Sequence, residues 1–587
     1  MKAEGAHCGQ RLFHVARLVY IPENAYVMKV LFAMLTTLVV LSSVLATRVV
    51  EAESTPLRTP AELESILERN RAEWEMPPIE SGDVSASTAY PDIRGEVLHA
   101  DLETLTEFSL RSRAAGDPIW GRVQGSVFEH QAADWIARQL RSFGIEQTRH
   151  DRVPLPPTWQ LREAELVLLD AAAGKDLLRL TSATPGWGAP STPEEGIEAP
   201  LVYVGLGTLA DLRDRDLTGK IALVHGHAFG GAHHTTGEAA VSRIVRAGGA
   251  RGVVVIVDQP GNARTLTRNG RDGPRIPNMT VGLLDGSYLR KSIENAPADD
   301  PPRLRMQIRA EWVEGLETSA VIAVLPGESD ELVLFQAHLD GFWQAVTDNG
   351  GGVAAVLGLA RHYATEASGA SEASERTSAQ PAKSRLKRRR GVAFLFTGGH
   401  EDGSVGALHF GRNNRALLDR TILVIELEHV ASMLVSHSLD GHYQSTTSDA
   451  PVGIFVTNQS PLVVKAYRDA AERYDIPLNL NHTPYYWGDI IGLLPSGVDA
   501  SGWIGSNFFY HSSLDSVEAV RPRSLERITR ASAFVADRVD RHTRAELEAG
   551  SVPFPMPDAS ELGDQIHLGY GMPEALQKLL GLGSATW

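Results

Sequence analysis

Six side chains invite a chemical reading by their types and places in the chain. They are His338 and Asp340 in AHLD, Asp348 in TDNGGG, Glu401 in GGHEDG, Glu428 in ELEHV and His511 in FYHSS. Each falls at or just beyond the end of a segment that reads as a strand, where open α/β sheets place their ligands. Imidazole and carboxylate are donors for hard and borderline metal ions, and one carboxylate can bridge two ions about 3.5–4 Å apart. Taken singly, each residue has an ordinary alternative, as a solvated acid or a structural histidine. The only cysteine is Cys8, so neither a thiolate cluster nor an intramolecular disulfide is open to the chain, and any metal must be held by imidazole and carboxylate. No convincing G-x-S-x-G elbow is present, and the glycine run at 350–352 lacks the GK[ST] ending of a phosphate loop. That run does permit close backbone approach to a bound group.

The elements that must position these residues follow from the apolar pattern. Unbroken apolar runs at 319–326, 331–340, 391–399 and 421–430 predict buried strands of a mixed or parallel sheet. Helices are expected at 128–143, 351–363, 404–418 and 461–474, the first of them stopped by Gly144 in a left-handed cap. Between about 198 and 300 the pattern changes to short runs such as GKIALVHG and GARGVVVIV separated by turns, which argues a compact α/β or β-rich insert. The resulting plan has an N-terminal extension and signal peptide or anchor at 1–52 and an N-terminal part of the main domain at 58–197. The insert follows at 198–300, the main domain at 315–530 and a C-terminal extension at 531–587. Residues 364–390, polar and ending in KSRLKRRR, are expected to be a solvated insertion.

With 587 residues the chain is long enough for two or three domains. A formal net charge of -16 argues against a nucleic-acid-coating role, since that needs a positive field. The uncharged apolar run at 30–46, preceded by Met28 and Lys29, reads as a secretory signal and predicts a periplasmic or secreted protein; a short membrane anchor and a buried core helix are the alternatives.

The ordered set of motifs resembles the M28 zinc peptidases, the co-catalytic aminopeptidase and glutamate carboxypeptidase superfamily, over roughly residues 100–525. The matching residues are His338-x-Asp340, Asp348-Asn349-Gly350, His400-Glu401-Asp402-Gly403-x-x-Gly406, Glu428 and Tyr510-His511-Ser512. Residues 198–300 resemble the protease-associated domain inserted in many members. The resemblance implies a mixed-sheet α/β zinc-exopeptidase fold and two zinc ions. His338, Asp348 and Glu428 would hold the first ion and Asp348, Glu401 and His511 the second, with Asp348 bridging. Asp340 would orient His338 through its other ring nitrogen, and Tyr510 is a candidate for stabilising an oxyanion. The substrate would be a peptide or small amide, bound without nucleic acid.

One departure stands out. The family's general base is the first glutamate of the paired acids, and here that place is His400; Gly403 and Gly406 hold the register. A neutral imidazole can accept a proton, His400 can instead bind metal, and a catalytically weak or inactive relative acting as a binding protein is a third outcome. An aminopeptidase needs an acid for the substrate ammonium, for which Glu428, Asp489 and Asp499 are candidates. A carboxypeptidase needs a cation, for which Arg412 and Arg415 are available. Phe342, Trp343, Tyr485, Tyr486, Trp487 and Trp503 are candidates for lining an apolar pocket.

Overall fold

The computed structural model describes residues 89–169, 175–228, 237–267, 276–297, 299–368, 388–437, 443–483 and 488–552. The expected signal or anchor at 1–52, most of the insertion at 364–390, Tyr485, Tyr486, Trp487 and the tail beyond 552 lie outside the described residues. Among the described residues no helix is long and apolar enough to cross a membrane.

The main domain is built on an eight-stranded mixed sheet. Its strands in chain order are β1 (Gln147–Pro154), β2 (Glu317–Leu325), β3 (Leu332–His338), β4 (Gly391–Thr397), β5 (Thr421–Glu428), β6 (Val452–Val456), β7 (Leu478–Thr483) and β8 (Ala500–Gly505). Their spatial order is β7-β6-β8-β5-β3-β4-β2-β1. The centre is parallel: β3 pairs with β4 and with β5, and β5 with β8. The apolar runs bury both faces, as central parallel strands must. Val333, Phe335, Phe394, Phe396 and Ile425 belong to one core; Leu334, Ala393, Leu395 and Val424 belong to the other. That is the alternation of a pleated strand covered on both sides. The first core is closed by α1 (Gly95–Ala115), α2 (Val127–Ser142), α3 (Gly351–Ser368), α4 (Pro461–Arg473) and α5 (Pro522–Asp540). Gly144, with φ +87°, ends the second of these helices in the left-handed conformation expected for it.

The insert is larger than its apolar runs suggest. A second eight-stranded sheet takes in residues 158–169, 176–179, 184–185, 197–203, 221–226, 252–257, 278–282 and 303–313. Thr158 pairs with Val313 at one end of a long antiparallel ladder, so the second sheet extends beyond the expected 198–300 on both sides. It leaves the main sheet between β1 and β2, which are antiparallel neighbours. Four of its strands, 197–203, 221–226, 252–257 and 278–282, run parallel, and the helices Gly237–Ala247 and Leu283–Asn295 pack on this part.

Candidate metal centre

The parallel strands of the main sheet all end on the same side, and the candidate residues gather there. His338 is the last residue of β3 and Glu428 the last of β5. His400 and Glu401 follow β4, Asp348 lies in the turn between β3 and α3, and His511 follows β8. All six residues first singled out are buried, and so are His400 and Tyr510. At 7% exposure His400 is the most open of the seven His, Asp and Glu side chains, and the rest are at 2% or less.

Two groups of donors stand close enough to share an ion. Asp348, Glu401 and His511 form one, and His338, His400 and Glu428 the other. His511 Nε2 lies 3.1 Å from Asp348 Oδ2 and 3.1 Å from Glu401 Oε1. His338 Nε2 lies 3.1 Å from Asp348 Oδ1 and 3.9 Å from Glu428 Oε1, and His400 Nε2 is 3.7 Å from the same glutamate oxygen. Donors around a tetrahedral zinc at ordinary bond lengths stand about 3.3 Å apart, so these separations suit zinc. Orientation gives the sharper test. Both carboxylate oxygens of Asp348 and Nε2 of His338 are buried without a hydrogen bond, although they are neighbours. Buried polar atoms are nearly always hydrogen-bonded, and these are the atoms a bridging carboxylate and a ligating imidazole would turn towards ions. The donor set therefore fits a pair of zinc ions.

The surrounding chain fixes the loop that carries Asp340 and Asp348 from both sides. Arg122, fully buried, donates to the carbonyls of Leu339 (2.9 Å), Gln344 (3.1 Å) and Ala345 (2.8 Å). Burial lowers its pKa to about 10, opposed by the charges of Asp515, Asp340 and Asp348, so it remains a cation at neutral pH. Asp515 takes the opposite polarity, accepting from the backbone N–H groups of Val346 and Thr347 and from the Thr347 hydroxyl. Burial pushes its carboxyl up to about 7.

Asp340 acts differently from expectation. The nearer partner of His338 Nδ1 is the Asp340 backbone oxygen at 3.2 Å, with the carboxylate at 3.8 Å. The carboxylate itself accepts from the backbone N–H groups of His400 and Glu401, at 3.3 and 3.2 Å, and so orients the paired residues after β4. The glycines there have a local cause. Gly403 has φ +97°, and a Cβ on Gly406 would lie 2.3 Å from the carbonyl oxygen of Gly398. The run at 350–352 is approached by its own chain: a Cβ on Gly352 would lie 2.4 Å from the Leu427 carbonyl. Close packing of α3 on the end of β5 explains that glycine without any ligand.

His400 is held by Asp489, whose Oδ1 lies 2.9 Å from His400 Nδ1. Asp489 is fully buried and also accepts from the Thr397 hydroxyl, so it is committed to the site's interior and not open to a substrate ammonium. Its backbone N–H in turn donates to Glu426. Burial, with the charges of Glu428 and Asp489 nearby, raises the Glu426 pKa well above the usual range. Asp499 precedes β8, at the opposite end of the strands from the cluster, and binds Asn458. Arg415 is exposed and paired with Asp419. Trp503 is core material, its ring 4.6 Å from that of Tyr467. Phe342 and Trp343 do reach the site: the first meets the His511 ring edge-on at 4.9 Å and the second donates to the His511 carbonyl at 2.8 Å. The insert reaches the same carbonyl through the Leu266 N–H, at 2.9 Å. Tyr510 stacks on His511 at 3.9 Å between ring centroids.

Sequence reasoning missed His429. Its Nε2 lies 3.2 Å from Asp348 Oδ1 and 3.7 Å from Glu428 Oε1, and its backbone has φ +52°. The only signal was its place beside a candidate ligand. Arg122 and Asp515 carried no signal, because most of their partners are backbone atoms far away in sequence.

Residues 320–536 match the model of peptidase family M28, a span that holds every member of the cluster. Over that span the chain is similar to the M28 peptidases. Solved structures share the fold. The M28 peptidase precursor from Shewanella amazonensis SB2B is 18% identical with a TM-score of 0.57, over 85% of this chain and all of that one. BSAP, a zinc aminopeptidase from Bacillus subtilis, is 19% identical with a TM-score of 0.53, over 78% of this chain and 98% of that one. Among curated proteins none matches.

Proposed function

We propose that this protein is a zinc-dependent aminopeptidase in which His338, Asp348 and Glu428 hold one ion and Asp348, Glu401 and His511 the other. The observation that carries the reading is Asp348, buried between three imidazoles with both oxygens turned away from any hydrogen bond. When bound, the two zinc ions supply Lewis-acid polarisation of the scissile carbonyl and the activated water.

His400 takes the proton from the nucleophile in this reading. The Asp489 carboxylate favours the tautomer with the proton on Nδ1, leaving the Nε2 lone pair free and stabilising the imidazolium that forms, as a buried Asp does for His in a catalytic triad. His400 is also the most exposed of the cluster's titratable side chains. A second reading makes His400 a ligand. It is favoured by the 3.7 Å from its Nε2 to Glu428 Oε1 and by its ring stacking on His338 at 3.8 Å. Metal counting on His400→Ala separates the two, since a proton acceptor can be removed with both ions retained. Tyr510, beside His511, is assigned to the developing oxyanion.

Asp489 is held by His400 and Asp499 lies at the far end of the strands, so neither receives the substrate ammonium in this reading. The insert is read as a protease-associated domain on the strength of GKIALV, RAGGARGVVVI and RIPNMTV. Its contact with His511 supports a part in shaping the substrate side. Export to the periplasm or beyond rests on the apolar run at 30–46. The proposal is tested by incubating the zinc-loaded protein with free and N-blocked peptides. Residue-by-residue loss from free N-termini alone is expected; loss from the C-terminus would overturn the aminopeptidase assignment.

A further inference from the structure

A third group of metal donors lies in the insert, away from the catalytic cluster. His225 is in the strand 221–226, His227 follows it, and Asp258 follows the neighbouring parallel strand 252–257. Residues i and i+2 of an extended chain face the same way, so the H-x-H sequence puts both imidazoles on one side. The ladder places His225 opposite Ile256 and Gly226 opposite Val257, and the Asp258 N–H donates to the Gly226 carbonyl. The carboxylate is thereby delivered beside the two rings. The carboxyl ends of adjacent parallel strands are where open α/β sheets present ligand-binding groups, and this second sheet repeats the arrangement of the first.

The geometry is that of a small chelate. His225 Nε2 is 3.4 Å and His227 Nδ1 is 2.7 Å from the same oxygen, Asp258 Oδ2. The other oxygen accepts the Ala228 N–H at 2.7 Å, which fixes the plane of the carboxylate. The first separation already matches the roughly 3.3 Å between donors on a tetrahedral zinc, and the second needs to open by about 0.6 Å. His225 and Asp258 are largely buried, with side-chain exposures of 17% and 16%, while His227 at 56% leaves a route for an ion to enter. Two imidazoles and one carboxylate are borderline donors suited to zinc and leave a coordination position open.

We propose that His225, His227 and Asp258 form a third, mononuclear zinc site in the insert, independent of the catalytic pair. It differs from the catalytic cluster in being partly open to solvent, so its ion is the first to leave as a chelator is raised.

The test is metal counting on the full chain after equilibrium dialysis against zinc, with bound metal measured by inductively coupled plasma mass spectrometry. Three equivalents are expected in the parent and two in the His225→Ala/His227→Ala variant, with peptide hydrolysis unchanged. The same pair of substitutions placed on Asp348→Asn separates this site from the catalytic one. There, an equivalent retained by Asp348→Asn should be lost on adding them, whatever the central cluster does. Because His227 is exposed, His227→Gln alone serves as a second variant that leaves the packing of the strand intact; loss of one equivalent in it is the expected result. Equal zinc content in the parent and both insert variants would overturn the proposal.

Discussion

The two metal-donor regions of this chain share a topology and differ in how firmly they are held. Each lies where neighbouring parallel strands of an eight-stranded sheet end, and each draws histidine and carboxylate donors from adjacent strands. In the catalytic domain the donors are buried and their loop is clamped by opposite polarities, with Arg122 on its carbonyls and Asp515 on its N–H groups. In the insert the Ala228 N–H orients Asp258 and one imidazole is more than half exposed. Strand ends bring donors together in both places; the clamp around them is what turns a chelate into a site able to do chemistry.

The sharpest way to break this contrast is to remove the carboxylates proposed to hold the central ions. Asp348→Asn and Glu401→Gln should each abolish peptide hydrolysis and lower the central zinc content together, read by turnover and metal analysis on the same sample. Retained zinc in both variants would remove them from the ligand set. Next in size is the clamp. Arg122→Met leaves several buried carbonyls without their donor and should destabilise the fold by roughly 3–5 kcal/mol, measured by denaturant unfolding. A change under about 1 kcal/mol would show that the loop holds itself.

Smaller effects sharpen the roles within the cluster. His400→Ala should reduce turnover by about 10²–10⁴-fold while both central ions stay bound; unchanged turnover would take His400 out of the mechanism. Asp489→Asn, which weakens the hold on the imidazole, should lower turnover by about 10–100-fold at unchanged metal content, and equal turnover would show that His400 needs no such partner. Smallest is the effect of His227→Gln, which should leave hydrolysis untouched and cost only the outlying zinc.

Much of this was legible in the sequence because the central strands are buried on both faces and write themselves as unbroken apolar runs. The H-x-D pair after β3, the acids after β4 and at the end of β5, and the late histidine all took their meaning from that placement. What escaped depends on contacts between distant segments. The second sheet begins at Thr158 because that strand pairs with 303–313, and nothing local to either strand declares its partner. Asp489, one of three candidates for receiving an ammonium group, is held by His400, 89 residues away. His225 and His227 sat in plain view in GKIALVHGH, but their third donor comes from the next strand. The ordinary packing of α3 on β5 explains Gly352, where the glycine run also admits a bound group.

The central claim is that the buried cluster makes this chain a zinc-dependent aminopeptidase. The most direct measurement is mass-spectrometric analysis of peptides cleaved by the zinc-loaded protein, using free, N-blocked and C-blocked substrates with a chelated control. The account predicts stepwise removal of residues from free N-termini, indifferent to a C-terminal block and stopped by the chelator. Intact peptides in the presence of two bound zinc ions would contradict it, and would leave the cluster as a binding site on a peptidase scaffold.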